Sequence, residues 1–83
     1  MRAKVRVGAV MPVSVFEGSV TQERVSFHAV AKSGAYPNDG SDEDNTFAKY
    51  TPSASFDLLI ANPELIGAYE PGQTYYVDFT PVD

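Results

Sequence analysis

The chain has no cysteine and no tryptophan, one histidine, and only six lysines and arginines among 83 residues. Each shortage excludes something. Without cysteine there is neither a disulfide nor a thiolate metal site, and the redox compartment leaves no mark on the sequence. His28 alone cannot furnish the roughly four Cys or His ligands of a structural zinc. A formal net charge of −5 fits poorly with the phosphate contacts that dominate nucleic-acid affinity. No apolar run approaches the ~20 residues of a membrane-spanning helix. The charged start, Met1–Val7, is not followed by an apolar signal core. The expectation is a soluble protein used in a cytoplasm. No phosphate loop, dinucleotide fingerprint, nucleophile motif or facing pair of carboxylates is present. Neither catalysis nor a cofactor is expected.

Eighty-three residues make one domain. A domain this small buries only about 60% of its unfolded surface, so partners commonly add to its stability. The charge is unevenly spread. Residues 1–32 carry five basic side chains against Glu17 and Glu23, whereas residues 33–83 carry Lys49 against nine acids.

What the chain does have is alternation. Ala3, Val5 and Val7 share one face of a first strand; Lys4, Arg6 and Gly8 share the other. Apolar residues continue through Val10, Val13 and Val15, but Pro12 cannot donate to a ladder. A bend or bulge is expected from Gly8 to Pro12, or an edge position there. Phe16–Gln22 reads as a turn region. A second strand covers Glu23–Lys32, with Val25, Phe27, Ala29 and Ala31 on one side, and pairs with the first as a hairpin. Ala54, Phe56, Leu58 and Ile60 mark a third strand. A Pro71-Gly72 turn launches the last, where Tyr75, Val77 and Phe79 alternate with Tyr76, Asp78 and Thr80 before Pro81 stops it. Val25, Phe27, Phe56, Leu58, Val77 and Phe79 should share a dry interior. Asn62-Pro63-Glu64 has the form of a helix start, with Gly67 limiting it to a turn or two near 62–67.

The fold class that follows is all-β. It is a small antiparallel curled sheet or partly open barrel of four to five strands, of OB-like or Greek-key type. The single domain, 1–83, includes a long acidic loop at 33–46. Turn chemistry dominates that loop, and loops of such length are usually functional or mobile. Asp39, Asp42, Glu43 and Asp44 could offer oxygens to calcium, but the EF-hand spacing is absent; a solvated loop is the simpler reading. Arg2, Lys4 and Arg6 place a charge every second residue on one side of the first strand. Beside exposed tyrosines they could cradle single-stranded nucleic acid, or simply guard an edge strand against aggregation. His28 sits on the polar side of strand two with no nucleophile framing it. Tyr36, Tyr50, Tyr69 and Tyr76 are the candidate contact residues, since tyrosine is enriched at the centres of protein interfaces. Tyr75 and Tyr76 point to opposite sides, so both cannot enter one core.

Asn45-Thr-Phe-Ala-Lys-Tyr-Thr-Pro-Ser-Ala54, followed by a strand and then Pro71-Gly72-x-x-Tyr75-Tyr76-Val77-Asp78-Phe79-Thr80, resembles small uncharacterised all-β proteins of tailed bacteriophages and viral metagenomes. The resemblance covers the C-terminal half. Tyr50 and Ala54 stand where smaller residues are expected. The resemblance implies a non-enzymatic interaction or structural accessory protein, oligomeric, in the virion or the host cytoplasm, whose partners are further copies or viral and host proteins. Two alternatives remain from the residues. One is single-stranded nucleic-acid binding through Arg2, Lys4 and Arg6. The other is inhibition of a host defence factor, with the acidic loop imitating nucleic acid.

Overall fold

A computed structural model describes all 83 residues. Four strands form one antiparallel sheet: β1 (Arg2–Phe16), β2 (Ser19–Ala29), β3 (Ser55–Ile60) and β4 (Thr74–Asp78). Their spatial order is β3-β2-β1-β4. This is the Greek-key order, in which the fourth strand returns beside the first. The sheet does not close into a barrel, so β3 and β4 are free edges.

Period-two alternation builds the core. Ala3, Val5 and Val7 from β1 and Val25 and Phe27 from β2 are buried, with Ile60 at the end of β3. Cross-strand pairing aligns them: Val7 lies opposite Phe27, Phe27 opposite Phe56, and Val5 opposite Tyr75. Val77, Phe47, Ile66 and Tyr69 pack against this set. Phe56 stacks on Phe27 with ring centroids 4.8 Å apart, and Tyr69 meets Phe27 edge-on at 5.9 Å. Of the six residues expected to be dry, Val25 and Phe27 are buried and Phe56 and Val77 are half-buried. Leu58 and Phe79 are exposed instead. The molecule is only 16 Å thick, so no second layer covers them.

β1 is longer than its partners require. β4 pairs only with Arg2–Arg6 and β3 only with Glu23–His28. Beyond those limits β1 and β2 run on together as a two-stranded arm, and the molecule reaches 55 Å in its longest dimension. Register shifts fall at Gly8, within the stretch expected to bulge, and again at Val13 and Thr21. Pro12 does not end the strand. It lies opposite Glu23, on a stretch of β1 whose other side has no neighbour to receive an amide.

The arm turns in two residues, so β2 begins at Ser19 and ends at Ala29 rather than spanning Glu23–Lys32. Glu17 and Gly18 have φ of 51° and 80°, the double left-handed geometry of a tight hairpin turn. Glutamate is strained there. Glu17→Asn should therefore raise amide-exchange protection along Val10–Gln22, a gain of about 0.5–1 kcal/mol in local stability. Gly18→Val should lower protection over the same amides.

The segment after β3 makes successive turns, not the expected helical turn at 62–67. Asn62 Oδ1 accepts the Glu64 amide at 3.0 Å, and the Leu65 amide reaches the Asn62 carbonyl at 2.9 Å. A helix would need the Gly67 amide to bond within the segment. It donates instead to the buried Glu23 carboxylate at 3.0 Å. A tertiary acceptor has displaced the local one.

Candidate interaction surfaces

β2 ends at Ala29; the Val30 amide still reaches the Lys4 carbonyl at 2.9 Å, but beyond it β1 would lose its neighbour. The long loop returns to fill that place. The Thr46 amide donates to the Arg2 carbonyl at 2.9 Å, and the Arg2 amide donates to Thr46 Oγ1 at 2.8 Å. Asn45 is wholly buried. Its Oδ1 accepts the Lys4 amide at 2.8 Å and its Nδ2 donates to the Val30 carbonyl at 2.7 Å. One side-chain amide thus acts as a rung of the sheet.

Asp42, 3% exposed, organises the loop from within. Its carboxylate accepts the amides of Lys32, Asp44 and Asn45 and the side-chain amide of Asn45. The loop is a tied-down structural element, with two buried polar residues where composition indicated solvated turns. Further along, Gly40 (φ 75°) lies flat under the Tyr50 ring, where a Cβ would clash. Tyr36 faces Tyr50 at 5.8 Å.

Burial raises the Asp42 pKa, but four N–H donors outweigh it and hold the carboxyl below its ordinary value. Glu43 is lowered mainly by its hydrogen bond from Lys32, and Asp39 by the Ser41 amide. A carboxyl depressed on folding stabilises fully above its unfolded pKa of about 4, and the gain disappears as pH falls through the folded value. Urea midpoints should therefore hold from pH 7 to 5 and fall towards pH 3. Asp42→Asn should be less stable at neutral pH and show a shallower acid decline.

The candidate contact residues do not converge. Tyr36 belongs to the loop, and Tyr50 lies just beyond it, against Tyr36. Tyr69 packs on the core face, 5.3 Å from Tyr75. Tyr76 lies on the opposite face, where its hydroxyl donates to Asp44 at 2.9 Å and the Arg2 guanidinium sits 4.8 Å above its ring. The basic row is largely spent within the fold. Arg2 pairs with Asp78 at 2.9 Å and Lys4 with Asp44 at 3.3 Å, leaving Arg6 without an ion-pair partner. His28 lies across from Arg6, against Gly8.

The acids are equally occupied. Asp42 is saturated, Asp44 is shared by Lys4 and Tyr76, and Glu43 pairs with Lys32 at 3.0 Å. No three His, Cys, Asp or Glu side chains converge as a metal site would need. The loop borders an open hollow of about 450 Å³ lined by Ser41–Glu43 and Thr46–Lys49.

Two apolar features lie elsewhere. On the core face a groove of about 260 Å³ is lined by Phe27, Phe56 and Leu58, by Tyr69, and by the stretch Tyr75–Val77. Along the arm Met11, Val13, Val15 and Phe16 are exposed. Sequence reasoning assigned the arm residues no role. The available signal was length: apolar alternation past Pro12 extends well beyond the five- and six-residue strands beside it. No helix is long and apolar enough to cross a membrane. No protein-family model, curated protein or solved structure matches the chain, so the function must be argued from these surfaces.

Proposed function

We propose that the protein is a non-catalytic interaction or structural accessory protein, of the tailed-bacteriophage type that its C-terminal half resembles, and that it works as an assembly of several copies. The supporting observation is surface. The chain exposes 5712 Å², whereas a compact monomer of 9.0 kDa exposes about 4,900 Å². The excess is close to the ~800 Å² that each partner contributes to a standard interface. The radius of gyration, 15.5 Å, likewise exceeds the roughly 12 Å of a compact chain of this length. An extended arm and an open apolar face account for both.

Nucleic-acid binding fits less well, because Arg2 and Lys4 are neutralised by Asp78 and Asp44. Charge mimicry by the loop fits less well for the same reason, with Asp42 buried and Glu43 and Asp44 paired. Sedimentation equilibrium over roughly 10–200 µM tests the assembly. A mass of two or more chains is expected, and 9.0 kDa at every concentration would overturn the reading.

A further inference from the structure

We propose that the arm of one copy seats in the apolar groove of another, with Phe16 and Val15 at the tip as the inserted side chains. The inference rests on the self-assembly reading above and names the surfaces that would produce it.

The two surfaces fit each other chemically. From Gly8 to Gln22 the only charge is Glu17, at the turn. Phe16 is 67% exposed and Val15 61%. The groove is lined by aromatic and aliphatic side chains alone. An uncharged knob and an uncharged slot lose little by leaving water, and no charge is stranded when they meet. The slot has room for one aromatic side chain and an aliphatic neighbour.

The occupant must come from another molecule. The ladder between β1 and β2 resumes after each of its register shifts and runs to the turn, which holds the arm extended. Nine residues separate Val7 from Phe16, which places the tip about 30 Å beyond the core. The groove lies over Phe27, Phe56 and Val77, within the four-stranded part of the sheet. A two-stranded hairpin is marginal by itself in water, and a seat on a neighbour supplies the missing packing. The area also agrees. The excess surface matches one partner's share of a stable interface.

The absence of cysteine permits a clean test. A Ser19→Cys chain, which keeps Phe16 and Val15 at the tip, is mixed with a Leu58→Cys chain under mild oxidation, and the disulfide-linked dimers are separated by mass. The mixed dimer should exceed the twofold statistical ratio over each homodimer. Dominant Ser19→Cys homodimers would mean arm-to-arm contact and would overturn the proposal. In parallel, Phe16→Ser should weaken self-association roughly 30-fold or more, as loss of an aromatic anchor does, while its circular dichroism stays that of the wild type. Leu58→Asp, at the groove, should do the same from the other side. Assembly indifferent to both variants would overturn the arm-in-groove contact and leave the assembly reading standing. A wild-type chain that is strictly monomeric would overturn both.

Discussion

Replacing Asn45 by alanine should destabilise the protein by about 2–5 kcal/mol, since the Lys4 amide and the Val30 carbonyl would each lose a buried partner at about 1–3 kcal/mol apiece. The Val30 amide already bonds the Lys4 carbonyl at 2.9 Å, but the two freed groups would pair only by closing the gap that the Asn45 side chain fills. A chain of 83 residues has a total stability of about 4–12 kcal/mol, so the loss is a large share of the whole. The thermal midpoint should fall by roughly 10–30 °C. Asn45→Asp should be nearly as damaging. It keeps an oxygen for the Lys4 amide but sets a second one against the Val30 carbonyl. Thermal unfolding followed by far-ultraviolet circular dichroism measures both, at matched protein concentration because assembly couples to stability. A midpoint within 3 °C of the wild type, by the same scale, would falsify the rung role.

Phe27→Ala is expected to cost about 3–5 kcal/mol. The ring lies at the centre of an aromatic cluster, stacked on Phe56 at 4.8 Å and edge-on to Tyr69 and Tyr75 at 5.9 and 6.5 Å. The cavity left behind cannot collapse readily, because Val5, Val7 and Val25 are fixed by the ladder on which they stand. Leu58→Ala is the control. Leu58 is 43% exposed in the single chain and, at a dilution where the copies are apart, should cost less than about 1 kcal/mol. Urea unfolding separates the two. Equal effects would mean that Leu58 is covered in solution by another chain.

The alternation of Val25 and Phe27, and of Tyr75 and Val77, was legible because a half-buried strand writes its face into every second residue. The bulge near Gly8 was legible because glycine and proline restrict a ladder. Asn45 was not. In a tract rich in Asp, Asn, Ser and Gly it has the composition of a solvated turn, and its burial depends on a vacancy in the sheet created elsewhere, where β2 departs. The spacing Asp42-x-Asp44-Asn45, next to the apolar Phe47, was the one local sign. The arm was also hidden. Val13 and Val15 look like interior residues in sequence, since nothing in a strand's pattern states whether a neighbour stands above it. The turn at 62–67 was misjudged because a buried glutamate from another strand captured the amide that a helix needed.

β1 is one uninterrupted strand from the core to the tip, and this has a mechanical consequence. A pull on the seated arm along its axis would be transmitted straight into the strand that carries Val5 and Val7. β2 shares the tip and moves with it, so the load falls on the hydrogen bonds from β1 to β4 and from β2 to β3, which lie across that axis and share the force side by side. A pull across the sheet would open them one at a time. The same chain would thus hold firmly under tension along the arm and peel readily when levered sideways.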